Sequence, residues 1–263
     1  MFCFCIFALL FINRILLNEN YQHIFNTGYF YSLVCTNYER ASFNKTFNNT
    51  NLFNGKLLDY GCGPGIMSIF FNDDKYIGID IDKTRISYAT QKYPNKHFIQ
   101  VNNTLTLPFD DAVFDIILFN DCIHHISNYN MITILPEIFR VLKTEGIVII
   151  REPIKDTNFF TYFITELLEN GNYLRTRNEY KSLFNYPFTY NHYNIVNETS
   201  HFEWFRHYYI LIIKKNTTHP INLHIVDKSK DYKQITSIRA IFIVLTYLFL
   251  FFYSIVLFLY IFD

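Results

Sequence analysis

The residues best placed to do chemistry are an acid and three glycines followed, one strand later, by a second acid. Asp59, Gly61, Gly63 and Gly65 lie in Leu57-Leu58-Asp59-Tyr60-Gly61-Cys62-Gly63-Pro64-Gly65, and Asp80 closes Tyr76-Ile77-Gly78-Ile79-Asp80. The first stretch predicts a strand and a tight turn, with Ile66-Met67-Ser68-Ile69-Phe70-Phe71 as a buried helix behind it. Glycine suits such a turn because the backbone can take dihedrals a Cβ forbids and a ligand can lie against bare peptide. A helix start there would offer unpaired N–H groups to that ligand. A carboxylate about 20 residues beyond the first glycine, at the end of the next strand, is placed to grip ribose hydroxyls. The chemistry implied is therefore the binding of a nucleoside-bearing cofactor. The dinucleotide pattern G-x-G-x-x-G fails at its third glycine, where Ile66 stands.

The elements that must position these residues follow in order. Asp82 is expected to cap a helix that runs to about Lys92. Strands are expected over 97–101, 114–119 and 147–150, a helix over 131–142 capped by Gly146, and a further strand over 208–213. The alternation implies a Rossmann-like α/β sheet wound on both faces, with ligands at the carboxyl ends of its strands. At those ends fall Asn102-Asn103-Thr104 and Asn120-Asp121-Cys122-Ile123-His124-His125. Asp121, His124 and His125 are candidate general bases at the mouth of the site. His125 serves equally well as a helix-start residue that packs against the sheet.

Composition bounds the rest. The chain has 263 residues, a formal net charge of zero, and 50% hydrophobic and 19% aromatic content. Zero net charge gives no basic field for nucleic acid. Five cysteines without a C-x-x-C pair suggest reduced thiols rather than a disulfide frame or a zinc site, and no metal is expected. The apolar excess sits at the ends. Residues 2–12 are uninterrupted apolar, too short to cross a bilayer upright, and lack a basic n-region and a small-residue cleavage site. Residues 1–19 are thus expected to contact a membrane without cleavage. Residues 240–262 carry no formal charge, and at ~1.5 Å per residue they are long enough to span a hydrocarbon core of about 30 Å. Lysines and Arg239 on the amino side place the preceding domain in the cytosol. Five regions follow: a hydrophobic segment at 1–19, a cap at 20–51 in which 29–38 reads equally as a lid helix or a polar connector, the α/β domain at 52–215, a polar linker at 216–237, and a transmembrane helix at 238–262. An aromatic helix over 158–168, with another helix opening at Arg175, carries a stripe that reads either as core or as the lining of an apolar acceptor pocket.

The order and spacing of the glycine stretch, the Asp80 strand, Leu107-Pro108-Phe109, Phe114-Asp115, His124-His125 and Val141-Leu142-Lys143-Thr144-Glu145-Gly146 resemble class I S-adenosylmethionine-dependent methyltransferases. The likeness is to the small-molecule type that includes quinone and sterol methyltransferases. It implies a seven-stranded, mostly parallel sheet with the last strand reversed, and S-adenosylmethionine as cofactor. Asp59, Tyr60, Gly61, Cys62, Gly63 and Gly65 would border the methionine part, with Asp59 near its amino group. Asp80 would hold both ribose hydroxyls, with Ile81 beside it. Asn103, with Thr104, stands where the family usually has an aspartate for the adenine amino group. An amide oxygen there would bind more weakly by about 1 kcal/mol. Asn120 would approach the methionine end. The acceptor would be a small molecule or a lipid, with a quinone or sterol favoured by the membrane tether. Two other functions fit the same sheet: a cofactor-binding module without turnover, and a nicotinamide-dependent oxidoreductase, which Ile66 disfavours.

Overall fold

The computed structural model describes residues 41, 43, 47, 53–102, 106–155, 173–185, 193–203 and 206–216. Its centre is a seven-stranded sheet: β1 (Leu57–Tyr60), β2 (Tyr76–Asp80), β3 (His97–Gln100), β4 (Phe114–Asn120), β5 (Leu142–Pro153), β6 (Tyr193–Glu203) and β7 (Arg206–Lys215). The spatial order is β3-β2-β1-β4-β5-β7-β6. The first five strands pair in parallel, and β7 runs antiparallel to both β5 and β6. The expected reversed last strand is present. The sequence gives little sign of β6 beside it, because Tyr193–Glu203 carries mostly polar residues on an outer strand that pairs on one side.

Apolar runs explain the central strands. Phe114, Ile116, Ile117, Leu118 and Phe119 in β4 are all buried, as both faces of a covered parallel strand require. One face packs against helix α2 (Asn128–Val141) through Met131, Ile134, Leu135 and Ile138. The opposite face holds Leu57, Met67, Ile116, Leu118 and Ile149 with an aromatic cluster. There Phe43 stacks on Phe70 with ring centres 4.5 Å apart. Helix α1 (Lys83–Lys92) begins as expected, with the Asp82 carboxylate accepting from the amides of Thr84 and Arg85. Helix α3 (Arg177–Asn185) presents Tyr180, Leu183 and Phe184 to the first face.

Two local expectations need correction. The helix behind the glycine turn is a five-residue 3-10 segment, Ile66–Phe70. Fifteen residues join β1 to β2; the turn takes the first five and residues 71–75 the last five, which leaves room for little more than one helical turn. Gly146 does not cap α2. That helix ends at Val141 and the chain passes straight into β5. The pairing jumps from Phe114↔Leu142 to Ile116↔Ile147, so residues 143–146 bulge out. Glu145 takes the left-handed conformation there (φ 66°). Charge pairing fixes the bulge: Lys143 Nζ binds Asp115 at 2.8 Å and Lys214 Nζ binds Glu145 at 2.6 Å.

Several expectations lie outside the described residues: the segment at 1–19, the lid helix at 29–38, the aromatic helix at 158–168, the linker beyond residue 216, and the span at 238–262. Among the described residues no helix is long and apolar enough to cross a membrane.

Candidate cofactor site

The strand order reverses between β1 and β4, since β2 and β3 extend on one side of β1 and β4 opens the other. A crevice at the carboxyl ends of the strands is expected at such a switch point. The structure has an open cleft there, lined by Asp59, Gly61, Cys62, Gly63, Pro64, Ile66, Met67, Arg85, Asn120 and Asp121. Six of these are among the residues expected to meet the cofactor or to act as a base.

The three glycines of the turn all have positive φ, at 75°, 53° and 76°. Their surroundings differ. A Cβ on Gly61 would stand 2.3 Å from Cys122 Sγ, and one on Gly65 would stand 2.7 Å from the Phe98 ring. Those two positions are small because the protein presses on them. At Gly63 the nearest atom is Arg85 Nη1 at 3.9 Å, so its peptide lies bare to the cleft. Gly63 is the glycine a ligand can approach.

Asp80 fixes this peptide. Its Oδ2 accepts from the Gly63 amide at 2.8 Å, and its Oδ1 accepts from the Asp82 amide at 2.8 Å. A carboxylate has about four acceptor sites, so both oxygens can still receive ribose hydroxyls. Ile81, next along the chain, is 64% exposed.

Asp59 is buried beneath the turn, where Tyr76 Oη donates to its Oδ2 at 2.6 Å. Burial pushes the Asp59 carboxyl up to about 7; the Tyr76 hydrogen bond lowers it in part, and the neighbouring Asp80 charge raises it. Asp59 is therefore poised to gain a proton or to face a cation. Tyr60 contributes only backbone here: its side chain is in the core, 5.0 Å from the Phe119 ring. Burial also pushes the Cys62 and Cys122 thiols well up, which makes them poor nucleophiles.

Beyond β4 the wall is built from charges that the sequence did not single out. Arg151 is fully buried at the end of β5 and its guanidinium lies 3.8 Å from the centre of the Tyr208 ring. Its Nη1 donates to Asn120 Oδ1 at 2.9 Å and Asp121 Oδ2 at 3.0 Å. Asp121 has φ 50°. The Asp121 carboxylate at the cleft is thus ion-paired.

Glu152 is also fully buried. Its carboxylate accepts from the amides of Cys122 and Ile123 at 2.8 and 2.7 Å and from His124 Nδ1 at 2.7 Å. From the other side Arg175 donates to the carbonyls of Ile123 and Ile126 at 3.0 and 2.6 Å and to Asn128 Oδ1. An acid takes the amides of this loop and a guanidinium takes its carbonyls, so buried polar backbone is satisfied from both sides. His124 is locked inside this clamp, fully buried. His125 is exposed, with its ring centre 4.2 Å from that of His124. The signal for the clamp was present as Arg151-Glu152 directly after the apolar Ile147-Val148-Ile149-Ile150. Asn103 and Thr104 lie outside the described residues. Among the described residues, no group of three or more potential ligands could hold a metal ion.

Residues 58–150 match the family model described as a methyltransferase domain. The demethylmenaquinone methyltransferase of Lactococcus lactis is 27% identical over 173 residues, which are 55% of this chain and 65% of that protein. The phosphoethanolamine N-methyltransferase of Plasmodium falciparum is 31% identical over 105 residues, 38% of this chain and 39% of its own. The chain thus covers less than two thirds of the length of these relatives. Among solved structures, a SAM-dependent methyltransferase from Methanosarcina mazei aligns with TM-score 0.53 at 17% identity, over 66% of this chain and 98% of that one. The PH0226 protein of Pyrococcus horikoshii aligns with TM-score 0.52 at 18% identity, over 76% and 92%.

Residues 58–150 carry the methyltransferase domain of that family model, and the sheet order and glycine cleft agree with the class I S-adenosylmethionine-dependent fold. Its cofactor is S-adenosylmethionine, and the bare Gly63 peptide beside Asp80 fits that group.

Proposed function

We propose that the chain transfers the methyl group of S-adenosylmethionine to a small acceptor of lipid, quinone or sterol type, at a membrane to which residues 238–262 tie it with the domain on the cytosolic side. The observation that carries the transferase reading is the cleft at the switch point, open at Gly63 and bordered by Asp80. The name of the Lactococcus relative supports a quinone-like acceptor. The uncharged run at 240–262 supports the tether.

When bound, the cofactor supplies a methyl carbon already activated by its sulfonium, so neither a metal nor a covalent enzyme intermediate is needed. The task left to the protein is to hold an acceptor in line and to exclude water. Asp80 would hold the ribose, the bare Gly63 peptide would border the methionine part with Asp59 facing its ammonium group, and Asn120 and Asp121 would border the reacting end. Among the candidate bases, His124 is committed to Glu152 and Asp121 to Arg151. His125, exposed on the clamped loop, is the residue we assign to accept a proton where the acceptor loses one.

The test is mass spectrometry of membrane and soluble extracts incubated with the cofactor, with and without the protein. A protein-dependent gain of one methylene in a lipid-soluble species is expected. A gain only in a soluble species would overturn the lipid acceptor, and cofactor binding without any transfer would favour a binding module.

A further inference from the structure

We infer that Arg85 binds the carboxylate of the cofactor's amino-acid end, a role that no motif gives it. The inference rests on the methyltransferase reading above and assigns one more group of the same ligand.

The argument is one of charge. S-adenosylmethionine carries two cations, the sulfonium and the ammonium, and one anion, the carboxylate. The cleft offers Asp59 to the cations, with Asp80 at its edge, while Asp121 is already paired with Arg151. Among the described residues lining it, Arg85 is the single basic side chain. Its guanidinium reaches the cleft beside the one turn glycine that a ligand can approach, Gly63.

Folding gives Arg85 little reason to be there. It is the third residue of α1, in the first turn, where the helix macrodipole disfavours a cation. Its ion pair with Asp82 is long, at 3.5 Å, and both side chains are more than a third exposed (37% and 40%). Pairs of that kind contribute little to stability. The planar fork of an arginine matches a carboxylate with two parallel hydrogen bonds, and the ligand's carboxylate is the anion for which this position is suited.

The test is a calorimetric cycle on the full chain with two ligands: S-adenosylmethionine and its decarboxylated analogue, which keeps nucleoside, sulfonium and amine. Wild type should bind the analogue about tenfold more weakly. Arg85→Gln should weaken S-adenosylmethionine by a similar factor and leave the analogue unchanged, and Arg85→Lys should fall between. Arg85 is partly exposed, so Arg85→Gln should fold, which its circular dichroism spectrum will verify. Equal weakening of both ligands in Arg85→Gln, or of neither, overturns the role of Arg85 while leaving the cofactor site in place. Failure of wild type to bind S-adenosylmethionine would overturn both.

Discussion

The two ends of the sheet use the same residue types for opposite purposes. At the amino ends of the strands, Asp115 accepts from the Lys56 amide and from Lys143 Nζ, and Arg140 ties Glu137, Asp111 and the carbonyls of Leu107 and Phe109 together. Burial alone would raise the Asp115 carboxyl, but Lys143 and the Lys56 amide outweigh it and hold it below its ordinary value. The Glu137 carboxyl is lowered chiefly by Arg140. At the carboxyl ends, Asp59 is buried without a cation and rises to about 7. Acids at one end are satisfied by the protein; at the other, one is left for a ligand to satisfy.

The largest effect should come from the buried clamp. Glu152→Ala leaves the Cys122 and Ile123 amides and His124 Nδ1 without their acceptor and should cost about 3 kcal/mol or more of stability. Denaturant unfolding measures it, and Glu152→Gln, which keeps an acceptor, should cost less. Next is Asp80→Ala, which removes the tie to Gly63 as well as the ribose acceptor. Cofactor affinity should fall by about 2 kcal/mol, roughly thirtyfold, in a calorimetric titration.

The third effect is pH dependence. The raised Asp59 carboxyl contributes stability that is present below about pH 4 and is lost as pH rises through about 7, because folding disfavours its ionised form. The ligand ammonium favours that ionised form. Binding should therefore release a proton and tighten about tenfold from pH 6 to pH 8, and Asp59→Asn should flatten the profile. Asp115, held low, acts the other way: its contribution is present above about pH 4 and is lost below it. The smallest effect is Lys143→Ala. The Lys143–Asp115 pair is 42% and 39% exposed, so its loss should cost at most about 1 kcal/mol, less in high salt, with cofactor affinity unchanged. A change in affinity there would break the division between the two ends.

Much of this was legible in the sequence where one local rule governed. Apolar runs marked β1, β2, β4 and the core of β5, Asp82 marked the start of α1, and glycine spacing with Asp80 marked the cofactor cradle. Features set by distant partners were hidden. Tyr193–Glu203 becomes a strand because β7 pairs with it, not because its own pattern demands it. Gly78 is a strand glycine whose role no local pattern displays. It pairs with Asp59, and a Cβ there would stand 2.9 Å from Tyr76 Oη, the hydroxyl that reaches Asp59. Arg151, Glu152 and Arg175 are charges buried through contacts 28 to 52 residues away, which no window of sequence displays.

The central claim is tested most directly by a crystal structure of the chain with S-adenosylmethionine. The ribose hydroxyls should both lie about 2.7 Å from the Asp80 carboxylate, with the methionine part of the cofactor along the bare Gly63 peptide. A nucleoside bound elsewhere, or a cleft filled by the protein's own side chains, would contradict it.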